Sequence, residues 1–277
     1  IPSNAATRAS TRIAEALPDR DWAVLRARAS DDFVYEDRGK RALVRGDVEM
    51  WIASAKFISS VPGFRAEPEL IGTIGDRLAL ERMVWTSGPD GDAFETERIR
   101  LLEVGADGRL RTSILFDADD RKAAFVEALD RFATGEAAVT GGQAPFAAFF
   151  RAFEQYNWEG MRRALAPQMV FDDHRTLGLG KLDRDQWVAS LRALADLGRD
   201  LAAEMPRVLA WNCHGLVAVT RTFGTVPDGG PFENVFVSTV LTDGDCIQRY
   251  EVFDVADADR ALARFAELSG EQEGERE

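Results

Sequence analysis

Apolar positions along this chain follow two periodicities. Phe146, Phe149, Phe150 and Phe153 recur at the i, i+3, i+4, i+7 spacing of one helix face. Ile13 and Leu17 begin a similar stripe near the start of the chain. Later, Val217, Val219, Arg221 and Phe223 alternate with Leu216, Ala218, Thr220 and Thr222, which is the period of a strand. The pattern predicts a helix, then a short second helix carrying Trp22, Leu25 and Ala29, or Trp158, Met161 and Leu165. A short strand follows, at 33–37 or 169–173. A third helix opens at Asp47 or Asp183, where a carboxylate can accept from the exposed N–H groups of the first turn. Four longer strands come next. In the second half they fall near 201–211, 215–225, 232–241 and 246–253, with turns at Pro227-Asp228-Gly229 and Asp243-Gly244-Asp245. Segments 121–133 and 257–268 read as closing helices.

This order occurs twice, and the residues keep register between the copies. Trp22 falls on Trp158, Arg26 on Arg162, Tyr35 on Phe171 and Asp37 on Asp173. Trp51-Ile52-Ala53-Ser54 falls on Trp187-Val188-Ala189-Ser190, Arg82 on Arg221, and Phe116-Asp117 on Phe253-Asp254. Pro89-Asp90-Gly91 likewise meets Pro227-Asp228-Gly229. The period is far longer than a solenoid unit, so the pattern reads as domain duplication. The expected division is a first domain at 6–133, a Gly- and Ala-rich linker at 134–143, a second domain at 144–268 and a disordered tail at 269–277. Ser3-Asn4-Ala5 is read as the scar of a cleaved tag, which sets residues 1–5 aside from the fold and leaves room for missing upstream sequence.

Composition narrows the function classes. The 277 residues are 45% hydrophobic and 29% charged, enough apolar material for folded cores. A formal charge of −13 with no basic stripe argues against nucleic acid. Nothing in the sequence resembles a membrane span, and no membrane partner is expected. His174 and His214 are the only histidines, so a histidine-rich metal site is excluded. Cys213 and Cys246 read as free thiols of a cytoplasmic protein.

The element order, with Asn157-Trp158-Glu159-Gly160-Met161, Asp172-Asp173-His174 and Arg249-Tyr250-Glu251-Val252-Phe253-Asp254, resembles the nuclear transport factor 2-like superfamily, and within it the SnoaL-like domains. The resemblance covers both halves. It implies an α+β fold of two tandem cones, each with N-terminal helices packed on a curved antiparallel sheet around a pocket. It implies no cofactor, and the sequence itself offers no metal site. The superfamily includes polyketide cyclases, isomerases, epoxide hydrolases and non-enzymatic binding modules, so the fold leaves function open.

Candidate chemistry concentrates in the second half. Ile247, Arg249, Glu251 and Phe253 share one face of the last strand, expected to be the concave one. The resemblance implies a general base at the position of Glu251, and the same-face Arg249 would hold it ionised; the competing reading is a structural ion pair. The first copy has Thr112 and Ile114 at these places and cannot perform the same proton transfer. His174 beside Asp173 could shuttle a proton, or the segment could be a solvated strand end. Arg221 and Arg82 could anchor an anionic or carbonyl ligand, or form inter-strand salt bridges with Glu233 or Glu251 and with Glu95 or Glu97. Trp187 and Phe150 are expected against the pocket, with the matched tryptophans serving mainly as core. Trp211 is unmatched and could line a pocket or an interface.

Two functions stand side by side. One is a ligand-binding or regulatory tandem module for a small apolar molecule, part of a larger protein. The other is a cofactor-free enzyme of cyclase, isomerase or hydrolase type with Glu251 as base. The two cones are expected to pack as an internal pseudo-dimer, in a monomer or homodimer.

Overall fold

In a computed structural model of the chain, residues 3–40, 42–88, 94–227 and 229–274 are described, with Arg199 and 271–274 by backbone alone. The chain divides into two units, Ile1–Ala128 and Leu129–Glu277. The first runs α1 (Ala5–Ala16), α2 (Trp22–Arg28), β1 (Ala29–Asp37), β2 (Val44–Gly46), α3 (Val48–Ser59), β3 (Arg65–Ile74), β4 (Leu78–Ser87), β5 (Phe94–Val104) and β6 (Leu110–Asp117). Helix α4 (Arg121–Thr134) follows and ends within the second unit. The second unit repeats the order. It has a 3-10 turn at Glu136–Val139, then α5 (Ala144–Glu154), α6 (Trp158–Ala164), β7 (Leu165–Asp173), β8 (Lys181–Asp183) and α7 (Arg184–Leu197). Strands β9 (Arg199–Asn212), β10 (Gly215–Val226), β11 (Gly230–Asp243) and β12 (Cys246–Phe253) come next, then a 3-10 turn at Val255–Asp257 and α8 (Ala258–Gly274).

Side-chain caps set where the helices begin. Asp47 accepts from the N–H groups of Glu49 and Met50 at α3. Asp183 and Gln186 form a reciprocal capping box at α7. Asn157 accepts from Gly160 N–H at α6. The short second helices stop one residue sooner than their apolar pattern suggests: Ala29 and Leu165 already have extended backbone and begin β1 and β7.

Asn4 corrects the reading that set 1–5 aside. Its side chain accepts from Thr7 N–H in a capping box. Its amide donates to Leu78 O at 2.9 Å and Gly75 O at 3.1 Å, so it anchors α1 to the turn before β4. At the other end, α8 continues through Gly274, and Leu268 and Ser269 are both buried. Residues 275–277 of the expected disordered tail lie outside the described residues, as do Asp228 and the 89–91 turn.

Within each unit the sheet is mixed rather than purely antiparallel. The first has the order β2-β1-β6-β5-β4-β3 and the second β9-β10-β11-β12-β7-β8. Strand β1 runs parallel to β6, and β7 parallel to β12. A parallel neighbour requires a crossover, and α3 with the three antiparallel strands after it supplies one.

In the second unit the sheet is covered on both faces, which decides where every candidate residue points. Cross-strand register puts Thr222 opposite Asn234, Thr220 opposite Phe236, Ser238 opposite Val252 and Tyr250 opposite Phe171. These residues share the concave face with α5 and α7. The other face carries Val217, Val237 and Phe253, which pack under Ala261, Phe265 and Leu268 of α8.

Candidate functional site

The concave face of the second unit encloses a cavity of about 290 Å³. Helix α5 contributes Phe149, Phe150 and Phe153, and α7 contributes Trp187, Ser190, Leu191 and Leu194. Trp187 is the centre of an aromatic wall. Its ring stacks on Phe149 at 5.0 Å and Phe171 at 5.1 Å, and meets Tyr250 at 4.7 Å. Such contacts contribute beyond area burial and hold the rings in fixed orientations.

Two polar features enter this wall. On the sheet, Thr220 Oγ1 lies 2.8 Å from Ser238 Oγ, and both hydroxyls interact with the Tyr250 phenol. Burial pushes the Tyr250 pKa up to about 12, so the phenol stays neutral. At the rim, Arg175 lies over the Phe236 ring, 5.3 Å from its centre. Its Nε and Nη2 donate to Asp173 at 2.9 and 2.8 Å, and its Nη1 donates to Asn234 Oδ1 at 2.9 Å.

The segment after β7 is built around the Asp173 carboxylate. Besides Arg175, it accepts from Leu179 N–H at 3.0 Å and Arg175 N–H at 3.2 Å. Burial acts to raise the Asp173 pKa, but the Arg175 bonds and these two backbone donors outweigh it, and the group stays below its ordinary range. Gly178 passes so close that a Cβ there would collide with the carboxylate. The loop can therefore wrap the acid only because position 178 is glycine.

Trp187 and Phe150 line the cavity, and Asp173 sits just behind it, holding Arg175. The other sequence candidates lie elsewhere. Glu251 is fully buried on the opposite face, because β12 turns Tyr250 and Val252 inward. Both alternating rows of β12 mix apolar with polar residues and both are covered, the outer one by α8, and that explains the inverted expectation. Glu251 Oε1 accepts from Arg249 Nη1 at 2.9 Å, and Oε2 accepts from Arg264 Nε at 3.3 Å. Burial would raise its pKa, yet these arginines and His174 hold it below the usual carboxylate value. It is thus paired with these arginines and lines no part of the cavity.

His174 also points outward. Its Nε2 lies 3.2 Å from Glu251 Oε2, and its ring stacks on Phe253 at 4.6 Å. Arg221 leaves the concave face as well, donating to Glu233 at 2.9 Å and Glu204 at 3.4 Å. Arg82 pairs with Glu97 at 2.7 Å and Glu69 at 3.2 Å in the first unit. Both arginines form the inter-strand salt bridges that were the competing reading. Trp211 packs edge-on against Phe132 of α4 at 5.3 Å and lines no part of the cavity.

Arg175 is the residue that sequence reasoning missed. Asp173 and Arg175 are two apart in sequence, but β7 ends at Asp173, and it is a turn in which Asp173 Oδ1 accepts from Arg175 N–H that brings the pair together, so no strand periodicity pointed to it. Cys213 and Cys246 are free thiols. Asp172, His174 and Glu251 are close enough to share a cation. However, Arg249 and Arg264 already bond Glu251, and Lys181 Nζ lies 3.5 Å from Asp172. That charge balance suits a salt-bridge cluster better than a cation. In the first unit, Asp117, Asp119 and Asp120 form a similar group, bonded there by Arg98 and Lys40.

The corresponding cavity of the first unit is only about 90 Å³. Met83 and Trp85 fill it where the second unit has Thr222 and Gly224. A buried Arg100–Glu81 pair also borders it, with Nη2 to Oε2 at 2.6 Å.

No family model matches the sequence, and no curated protein matches it. Solved structures do. A Δ5-3-ketosteroid isomerase from Mycobacterium is 17% identical, covering 42% of this chain and 93% of its own, with a TM-score of 0.36. A nuclear transport factor 2-like protein from Anabaena variabilis is 17% identical over 39% of this chain and 82% of its own, with a TM-score of 0.33. An epoxide hydrolase of LEH-like type from M. tuberculosis is 17% identical over 44% and 84%, with a TM-score of 0.33. No helix among the described residues is long and apolar enough to cross a membrane. The solved structures that this chain resembles are thus of the nuclear transport factor 2-like and ketosteroid isomerase-like kind, each matching about 40% of its length.

Proposed function

We propose that the second unit binds one small, largely apolar molecule in the cavity between α5, α7 and the concave sheet face. The observation that carries this is the wall itself: phenylalanines and Trp187 around about 290 Å³ of space, with polar groups confined to Arg175, Asn234 and a few hydroxyls. Apolar concavities with few, convergent polar groups are the usual form of small-molecule sites, and roughly 300 Å³ lies at their lower limit. The titratable groups on this wall are a guanidinium and a neutral phenol, and the carboxylate proposed as base lies across the sheet. Binding is therefore the reading this geometry supports best. Residues from α7 form one side, so a bulky side chain at Ser190 blocks the space without touching the sheet. Calorimetric titration with 2-ethylnaphthalene should give saturable heat at one site per chain, lost in Ser190→Trp. Absence of saturable heat with 2-ethylnaphthalene and with its ketone and carboxylate analogues alike, or heat unchanged in the variant, rules the reading out.

A further inference from the structure

We infer that the Asp173–Arg175 pair makes this cavity selective for neutral ligands bearing a hydrogen-bond-accepting oxygen, and that Asp173 sets this selectivity without touching the ligand. The inference rests on the binding reading above and names the chemistry that the site prefers.

A guanidinium has five N–H donors. The bonds to Asp173 and Asn234 use one each on Nε, Nη1 and Nη2. One donor on each Nη remains in a group that borders the cavity. A ligand oxygen at the rim can therefore complete the arginine's hydrogen bonding. The charge of that oxygen matters because Arg175 is already neutralised. Asp173 is fully buried at its side chain and engages the guanidinium through both oxygens. A second carboxylate would place two anions against one cation in a poorly hydrated site, where an uncompensated charge is expensive. A ketone, ester or amide oxygen accepts the same hydrogen bond with no net charge to bury. A hydrocarbon end would leave the donors unmatched. The protein's formal charge of −13 acts in the same direction against anions.

Three probes of matched shape isolate the oxygen: 2-acetylnaphthalene, 2-naphthoate and 2-ethylnaphthalene, each titrated by calorimetry into the full chain at pH 7. The ketone should bind best, about tenfold tighter than the hydrocarbon, as one retained hydrogen bond to a charged donor implies. Naphthoate should bind more weakly than the ketone. Asp173→Asn keeps the shape and an acceptor for Leu179 N–H but frees the arginine's charge, so naphthoate should then overtake the ketone. A folded Arg175→Gln, Asp173→Asn double variant should lose the ketone's advantage over the hydrocarbon. Thermal unfolding of each variant identifies any that fails to fold. If none of the probes binds, the binding reading fails. If all bind but the ketone has no advantage, or naphthoate already wins in the unmodified protein, binding stands and this inference is overturned. An unchanged order in folded Asp173→Asn overturns the role of Asp173.

Discussion

Arg264 Nε, on the helix that closes the second unit, lies 3.3 Å from Oε2 of Glu251 on the last strand. A buried carboxylate is thereby tied to an arginine 13 residues further along the chain, on the next helix. Arg249 holds its other oxygen and His174 approaches the same one as Arg264. Isolated, such a carboxylate would cost several kcal/mol. Its partners turn that cost into a clamp that fixes α8 on the outer face of the sheet. The clamp and the cavity occupy opposite faces of the same strands, which separates the clamp from the proposed ligand site.

Glu251→Gln tests that separation. The amide keeps an acceptor but leaves Arg249 and Arg264 without their shared counter-charge. A loss of about 2 kcal/mol in unfolding free energy is expected, below the roughly 3–5 kcal/mol seen when a buried pair is broken outright. Binding of the naphthalene probes should change less than twofold. Urea unfolding and calorimetry read the two quantities. Lost binding in a fully stable variant would restore Glu251 to the site.

Acid should loosen the second unit through two carboxylates. Glu251 and Asp173 both have folded pKa values below their ordinary 4.5 and 3.8. A depressed folded pKa contributes stability that is fully present above the unfolded value. It is lost as pH falls from that value through the folded one. Stability should therefore decline from about pH 4.5 downward, with a shallower slope in Glu251→Gln. Unfolding midpoints measured between pH 6 and pH 3 check this. A variant slope equal to that of the unmodified protein would assign the acid sensitivity elsewhere.

The fate of Glu251 shows what the sequence could reveal. Period-two alternation sorted β12 correctly into two rows, but each row mixes apolar with polar residues and both are covered, so composition did not separate them. Only the tertiary packing of α8 decides which row faces the cavity. Helix starts were legible because Asp47 and Asp183 act locally, within their own first turns. The aromatic wall was legible in part, since Phe150 and Trp187 lie on helices whose stripes have one apolar side. Arg175 was not, because its importance comes from Asn234 on a distant strand and from a loop that Gly178 lets close. Asn4 was hidden for a similar reason. Its capping role is local, but its bonds to Gly75 and Leu78 span the unit.

Asn4→Ala should destabilise the first unit. An exposed N-cap is worth about 1 kcal/mol, and two further hydrogen bonds to backbone carbonyls raise the expected loss to about 2 kcal/mol. Leu78 O would be left buried with one partner fewer. Hydrogen exchange should report faster opening of α1, with α7 unaffected. Equal protection of α1 in both proteins would mean that Asn4 is replaceable by water.

The two units also differ in a way that one substitution can transfer. Met83 lines the small cavity of the first unit, and Thr222 holds the matching place in the second. Both lie on the concave face, one residue after the paired arginines Arg82 and Arg221. Thr222→Met adds an unbranched side chain with enough rotatable bonds to enter the cavity without displacing the sheet. It removes a hydroxyl that Asn234, directly across the strand pair, does not need, because Asn234 is already bonded to Arg175. Stability should stay within about 1 kcal/mol or rise slightly, because apolar surface replaces empty space. Affinity for 2-acetylnaphthalene should fall by at least about tenfold, the loss of some 1.4 kcal/mol that excluding part of the ligand implies. Calorimetry and urea unfolding on the same variant give both numbers. Unchanged affinity would place the ligand away from β10 and move the site out of this cavity.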